Sequence, residues 1–131
     1  MGLFAKSKYA VPKAIEWSSR KKEFEKRAAF ATIAAYCMAD KESNNDTFEQ
    51  FFPIIKREST DKRIYVKKAV NWALRNIGKR NIDLKVKAIN IAEEILEIDN
   101  KTAKWIATNA LKELTKEKIR MSDYPRKIYR K

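Results

Sequence analysis

The chain contains no histidine among its 131 residues, and this absence excludes several kinds of catalytic site. Ser–His and Cys–His nucleophile pairs, HExxH metal sites and histidine acid/base catalysis all need an imidazole. The one cysteine, Cys37, lies in an alanine-rich apolar run and has no second thiol for an internal disulfide. We therefore expect a buried structural thiol, a reducing compartment such as the cytoplasm, and neither a metal nor a cofactor.

Glycine and proline are also scarce, with two and three copies, so the sequence has few of the residues that end strands and form hairpins. Without a glycine-rich loop, it has no phosphate cradle of the P-loop or Rossmann kind. No apolar run reaches the length of a membrane span, and the first residues lack the apolar core of a signal peptide. Alanine, isoleucine, leucine, lysine and glutamate are plentiful. This composition predicts one all-helical domain over residues 1–131, with a basic tail from residue 116.

Positive charge is in large excess. The 30 lysines and arginines outnumber the 17 acidic residues and give a net charge of +13. A balance this basic favours a polyanionic partner, of which nucleic acid is the first candidate and an anionic membrane surface the second. The alternative is a solvated, lysine-rich surface without a specific partner, since net charge alone reports on solubility and non-specific binding.

Helical periodicity predicts six helices, over residues 11–19, 23–39, 47–57, 65–79, 82–98 and 102–115. Asp46 and Glu49 have the spacing of a capping box for the third helix, and Asn81 is expected to cap the fifth. Asp61 is expected to cap the fourth. Pro53 lies inside the third helix, where it predicts a kink or a later start.

The fourth predicted helix has a basic face that carries a tryptophan. Apolar residues recur at helical spacing from Val66 to Ile77. Opposite this stripe, one line of the helical wheel carries cations and aromatic rings: Tyr65, Lys68, Trp72, Arg75 and Lys79. Cations beside an exposed aromatic ring suit an anionic ligand with flat bases. A solvated charged face is the alternative.

Three of the predicted helices resemble one another at offsets of 41 and 37 residues. KRAAFATIAAY from Lys26 aligns with KKAVNWALRNI from Lys67, and NWALRNI from Asn71 aligns with TNALKEL from Thr108. Antiparallel helix pairs recurring at about 40 residues are typical of a HEAT-like α-solenoid. Stacked pairs would align the second helix of each repeat on one shared, usually concave, surface. The residues expected on that surface are Arg27, Lys68, Trp72, Arg75, Trp105 and Lys112.

Residues Arg57 to Asn81, RESTDKRIYVKKAVNWALRNIGKRN, resemble the central motif of the AlkD-like family of DNA alkylation repair glycosylases. EWSSRKKEFEKRAAFA before this motif and TAKWIATNALKEL after it also resemble the family, so the resemblance covers about residues 9–114. It implies a HEAT-like solenoid whose concave face binds duplex DNA. It also implies excision of alkylated, often cationic, bases such as N3- or N7-methylated purines, by hydrolysis of the N-glycosidic bond.

The resemblance assigns two residues by position. Arg27 in EKRAAF matches the family's functional arginine, and Trp72 in AVNWALR matches one of its functional tryptophans. The family's catalytic aspartate belongs to an earlier Trp-Asp motif that has no counterpart here, because Trp17 is followed by Ser18 and Ser19. We therefore expect the C-terminal part of a longer family member, with an unassigned catalytic residue. Whether this chain alone is an enzyme stays open.

Each assigned residue also has a structural interpretation. Arg27 could pair with a neighbouring carboxylate, and Trp72 could pack against the next repeat. Two other tryptophans are expected to pack within the fold: Trp17 and Trp105. Glu58 and Asp61 are the acids nearest the basic helix, which makes them the fallback catalytic candidates.

The predicted function is duplex DNA binding in the excision of alkylated bases, by a monomer or weak dimer. The residues expected to contact DNA are Arg27, Lys68, Trp72, Arg75, Lys79 and Arg80. The alternative is a non-catalytic HEAT-like module that binds DNA or a protein through the same face. A basic helical protein on anionic membranes is a third interpretation, against which the repeat argues.

Overall fold

The computed structural model describes residues 10–39 and 44–116, and all regular structure in these two ranges is helical. The helices are α1 (Ala10–Ser18), α2 (Glu23–Ala39), α3 (Asn45–Glu49), α4 (Phe52–Arg57), α5 (Ile64–Gly78), α6 (Ile82–Leu96) and α7 (Lys101–Leu114). Five of the six predicted helices are confirmed, with ends that differ from the predictions by at most two residues. The predicted basic tail, apart from its first residue, lies outside the described residues.

The third predicted helix is divided into α3 and α4. Pro53 lies in the first turn of α4, where a missing N–H is tolerated, so the expected kink is a break between two short helices. The predicted capping box is wrong, because Asn44 is the N-cap, no side chain caps α3, and Asp46 lies within its first turn. Asp61 is also not a cap: Arg63 is the N-cap of α5, and Asp61 Oδ1 accepts a hydrogen bond from Arg63 N at 3.1 Å.

Asparagine side chains fix where α6 and α7 begin. Asn81 Oδ1 accepts a hydrogen bond from Leu84 N at 2.9 Å, which confirms the predicted cap of α6. Asn100 Oδ1 accepts one from Ala103 N at 3.0 Å and caps α7 in the same way. Each cap satisfies an N–H that the first helical turn leaves without a partner, and so fixes the register of the helix that follows.

Helix α2 is buried on more than one side, as its apolar sequence predicts. Phe30, Ile33 and Ala34 are fully buried in it, and the thiol of Cys37 is buried with them. One side of α2 packs against α1 and another against α5. No helix within residues 10–39 and 44–116 is long and apolar enough to cross a membrane.

Helices α2, α5 and α7 lie side by side in one layer. The largest interface joins α2 to α5, and α5 packs in turn against α7. Arg63, at the start of α5, donates to the Lys21 carbonyl just before α2 at 2.8 Å. Asn71, in the middle of α5, donates to the Ile106 carbonyl in the middle of α7 at 3.0 Å. Lys79, just after α5, is 2.6 Å from Glu113, near the end of α7, so like ends meet in both pairs and the three helices run in the same direction.

A second layer completes the helix pairs. Helix α1 packs on α2, and α6 packs on both α5 and α7. The short helices α3 and α4 contact α6, and α4 also contacts α5. The result is an α-solenoid-like stack of packed helix pairs, which confirms the predicted fold class, while the HEAT-like subclass stays a prediction.

The ends of α5 and α7 approach each other closely at Gly78. A Cβ atom on this residue would lie 2.6 Å from Leu114 Cδ2 and 3.1 Å from Ala88 Cβ. Leu114 and Ala88 are both fully buried, so a side chain at residue 78 would have to displace atoms of the core. The missing side chain at Gly78 therefore sets the spacing of α5, α6 and α7 at this end of the layer.

Candidate nucleic-acid interface

An open pocket of about 560 Å³ lies across the layer formed by α2, α5 and α7. This volume falls within the range of about 300–1,000 Å³ that is typical of ligand sites. The lining combines cations, aromatic rings, amides and two alanines: Arg27, Ala31, Tyr65, Lys68, Ala69, Asn71, Trp72, Arg75, Trp105 and Asn109. In the part of the chain that the structure describes, no carboxylate lines the pocket.

The pocket lining follows the sequence repeat. At the offsets of 41 and 37 residues, Arg27, Lys68 and Trp105 are equivalent positions of α2, α5 and α7, and all three line the pocket. A second equivalent set, one turn further along each helix, also lines it: Ala31, Trp72 and Asn109. The stacking of similar helices therefore brings distant parts of the chain to one surface.

Helix α5 supplies more of the lining than either neighbour, because its two faces differ in chemistry. Val66 and Leu74 are buried on one face, while Lys68 and Trp72 are exposed on the other. Residues 68, 72 and 75 follow the i, i+4, i+7 spacing that keeps side chains on one helical face. The same periodicity that builds the core thus directs the cations and the indole to the pocket.

Two cations lie against aromatic rings at the pocket. Arg27 Cζ is 5.5 Å from the centroid of the Tyr65 ring, and Lys67 Nζ is 4.7 Å from that of Trp105. Such contacts contribute about 0.5–1 kcal/mol at exposed sites and hold the partners in place without removing the charge. Within the described ranges, neither Arg27 nor Lys68 has a carboxylate at ion-pair distance.

The positive charge is partly compensated where Arg75 approaches α7. Arg75 Nη1 is 3.8 Å and Lys79 Nζ 2.6 Å from Glu113 Oε1. The hydrogen bond from Lys79 lowers the pKa of the Glu113 carboxyl, so this group is ionised at neutral pH. Arg75 therefore lines the pocket with part of its charge balanced, whereas none of the described carboxylates pairs with Arg27 or Lys68.

The residues predicted to contact DNA have three different environments. Four of them line the pocket together: Arg27, Lys68, Trp72 and Arg75. Lys79 lies outside the lining, in its ion pair with Glu113. Arg80 is only 8% exposed; its Nη1 donates to the Cys37 carbonyl at 2.7 Å, and its Cζ is 3.9 Å from the Phe48 ring centroid. This burial separates Arg80 from the pocket lining, and its contact with DNA stays a prediction.

Sequence reasoning missed two amides of the pocket, Asn71 and Asn109. The sequence repeat could have identified Asn109, because this residue is equivalent to Trp72 at the offset of 37 residues. Asn71 is buried, and its hydrogen bond to α7 fixes the floor of the pocket. Trp105 had two expectations, packing within the fold and a place on the shared surface; it is partly exposed and lines the pocket, as the repeat offset predicts. Lys112, expected on the shared surface, is exposed but lies outside the lining.

The fallback catalytic acids, Glu58 and Asp61, belong to an ion cluster outside the pocket lining. Lys26 Nζ is 2.6 Å from Glu58 Oε1 and 3.0 Å from Asp61 Oδ2. Hydrogen bonds from Arg63 and from Lys26 hold the pKa of the Asp61 carboxyl well below its usual range, although burial opposes this shift. These contacts explain both acids as parts of the fold. Among residues 10–39 and 44–116, no group of three or more Cys, Asp or Glu side chains is arranged to hold a metal ion.

Fold and pocket together define the class of the protein: an α-solenoid-like helical protein with a cationic, aromatic pocket across one layer. A family model described as DNA alkylation repair enzyme matches residues 1–116. The chain belongs to this family, which gives it a role in DNA repair. Comparison with curated proteins found no significant match, and comparison with solved structures found none either. The resemblance seen in the sequence is thus confirmed for the family, while its AlkD-like detail stays a prediction.

Proposed function

We propose that this chain binds duplex DNA through the pocket face, in the removal of alkylated bases. The observation that carries the proposal is the grouping of Arg27, Lys68 and Trp72 on one open surface that no described carboxylate lines. Cations bind the phosphates of DNA whatever its sequence, and a flat ring packs against a sugar or a displaced base. Membership of a DNA alkylation repair family supplies the biological context.

The proposed roles differ from residue to residue. The planar guanidinium of Arg27 binds one phosphate in a bidentate manner, and Lys68 contributes a point charge on the neighbouring helix. Trp72 contacts the sugar-phosphate backbone or a displaced nucleotide. Arg75, which shares Glu113 with Lys79, orients the DNA more than it attracts it.

The proposed reaction is glycosylase excision of N3- or N7-methylated purines. Breaking the glycosidic bond to a cationic base builds positive charge on the sugar and needs a positioned water, and a carboxylate serves both needs. Because no described carboxylate lines the pocket, the proposed work of this face is to bind and orient the DNA. The same observation favours the second candidate, a non-catalytic DNA-binding member of the family.

Fluorescence anisotropy with a labelled duplex tests the binding surface. Arg27→Ala and Trp72→Ala are each expected to weaken binding about tenfold, since a charged hydrogen bond or a stacked ring is lost. Lys87→Ala is the control, because Lys87 is an exposed cation on α6, paired with Glu49 at 2.7 Å. Far-UV circular dichroism should be unchanged in all three variants. If Trp72→Ala lowers the helicity, the indole supports the core and its assignment to the DNA surface fails.

Release of methylated purines from methylated duplex DNA distinguishes the two candidate functions. Release by this chain at neutral pH supports the glycosylase. Tight, salt-dependent binding without release supports the non-catalytic module. Failure to bind the duplex would overturn both, because each rests on the pocket face as the DNA surface.

A further inference from the structure

A strip of exposed apolar side chains extends the pocket to the edge of the layer where α2 and α5 begin. Phe24, in the first turn of α2, is 72% exposed, and Ile64 and Tyr65, in the first turn of α5, are 51% and 58% exposed. We name these three side chains the rim strip. Phe24 and Tyr65 are equivalent at the repeat offset of 41 residues. Because Tyr65 also lines the pocket, the rim strip meets the pocket at this ring.

The helix starts that carry the rim strip are fastened to each other. Arg63 Nη1 donates to the Lys21 carbonyl at 2.8 Å, which joins the loop before α2 to the start of α5. Asp61 accepts hydrogen bonds from Lys26 Nζ at 3.0 Å and from Arg63 Nη2 at 2.7 Å, and so bridges the same two helices. Phe24 and Tyr65 therefore keep a fixed relation to each other. A preformed platform of this kind loses little conformational entropy when a ligand binds.

Positive charge borders the rim strip. Arg27 lies over the Tyr65 ring, one turn after Phe24 on α2. Three exposed lysines flank the two helix starts and have no ion pair within the described ranges: Lys21, Lys22 and Lys62. Three of the nearby carboxylates are already engaged with cations: Glu25, Glu58 and Asp61. Adjacent apolar side chains that gain nothing from the core mark an interaction surface, and the charge around this one selects an anion.

We propose that the rim strip binds unpaired nucleotides that adjoin the duplex, with their bases stacked on Phe24 and Tyr65. This rests on the proposed function, because it takes the pocket face as the DNA surface, and it adds a single-stranded segment as a ligand at the edge. Aromatic rings set among cations bind single strands without regard to sequence, since every base has a flat face and every nucleotide a phosphate.

Two labelled DNAs test the rim strip: a blunt duplex and the same duplex with a short unpaired overhang. The protein should bind the overhang DNA about fivefold or more tightly than the blunt DNA, the gain expected from one stacked base. Phe24→Ala should abolish this advantage and leave blunt-duplex affinity unchanged, and Phe24→Tyr should preserve it. Because Phe24 is so exposed, its truncation removes no core contact, and circular dichroism should remain that of the wild type.

A matched pair of isoleucines provides the control. Ile64 and Ile82 are each the first residue of a helix and are 51% and 53% exposed. Ile82 begins α6, which follows the far end of α5, so it lies away from the rim strip. Ile64→Ala should reduce the overhang advantage, whereas Ile82→Ala should not.

Three results would overturn the rim-strip proposal. The first is equal affinity of the wild type for the two DNAs, and the second is an overhang advantage that survives Phe24→Ala. The third is a Phe24→Ala variant that sediments differently from the wild type in the absence of DNA but binds the overhang DNA equally well. That result would show that the rim strip is an interface between two copies of the protein. Failure of the proposed function is visible separately, as loss of blunt-duplex binding.

Discussion

Two adjacent cations of α2 have opposite environments. Lys26 is buried in the ion cluster with Glu58 and Asp61, whereas Arg27, turned about 100° further round the helix, is exposed at the pocket. Burial alone would lower the pKa of Lys26, but hydrogen bonds to Glu58 and Asp61 raise it above its ordinary value. Lys26 and Asp61 therefore remain charged at neutral pH, and the cluster joins α2 to the segment before α5.

Asp61→Asn is expected to lower the free energy of unfolding at neutral pH by about 1.5–3 kcal/mol, because Lys26 and Arg63 lose a shared charged acceptor. The pKa of Asp61 is lower in the folded state than in the unfolded state. Its stabilising contribution is therefore present above the ordinary aspartate value of about 3.9 and is lost as the pH falls towards the folded value. Between about pH 5 and pH 2, the variant should lose less stability than the wild type in urea titrations.

Asp99→Asn is the control for this prediction. Asp99 is exposed in the turn between α6 and α7 and has no ion pair among the residues that the structure describes. Its substitution should leave both the neutral-pH stability and the pH dependence close to those of the wild type. Equal effects of the two substitutions would show that the cluster contributes nothing specific.

Helix α5 is the central element of the stack, since it packs against α2, α4, α6 and α7. Its last residue, Gly78, is where that packing is tightest. Alanine favours a helix over glycine by about 1 kcal/mol. In Gly78→Ala, this gain in helix propensity is opposed by the steric cost of the added methyl group. The contact distances around Gly78 decide which effect is larger.

Gly78→Ala is expected to destabilise the protein by about 1–3 kcal/mol in chemical denaturation, as overpacking of a filled core does. The new Cβ would lie 2.6 Å from Leu114 Cδ2, a distance that requires a buried side chain to move. In a Leu114→Ala background, the same substitution should cost less or become favourable, because the obstructing atoms are gone. Additive effects in this double-mutant cycle would rule out the close approach as the cause.

Local periodicity predicted most of the helices and the shared surface, because the faces of a helix depend on spacing within one segment. The repeat offsets placed Arg27, Lys68 and Trp105 on one surface, and the pocket lining agrees. The burial of Arg80 was not predicted, because a cation just after a basic helix resembles a solvated residue. Its burial depends on the Cys37 carbonyl, 43 residues earlier, and on the Phe48 ring. Contacts between residues so far apart in the chain cannot be predicted from the spacing of residues within one helix.

For the molecule as a whole, the count of 30 lysines and arginines overstates the number of cations that are available to a ligand. Lys56 is paired with Glu94, Lys79 with Glu113 and Lys87 with Glu49. By contrast, the described residues offer no ion-pair partner to Arg27 or Lys68 at the pocket. Affinity for a polyanion should therefore depend on which cation is removed, and not only on the total charge.

Lys68→Gln is expected to reduce the slope of log K against log salt concentration by about 0.9, the value for one lost phosphate contact. Lys79→Gln changes the net charge equally but removes a cation that Glu113 already holds, so the slope should stay close to that of the wild type. Anisotropy titrations between about 50 and 200 mM salt measure both slopes. The same change in both variants would mean that total charge, and not contact at the pocket, governs binding.

The equivalent residues across α2, α5 and α7 repeat in position but not in chemistry. The first set passes from a guanidinium at Arg27, through an ammonium at Lys68, to an indole at Trp105. A ligand laid along this row meets a guanidinium beside the Tyr65 ring at one end and an indole beside the Lys67 ammonium at the other. The surface therefore has a polarity, and a bound strand running one way along it differs in energy from the same strand reversed.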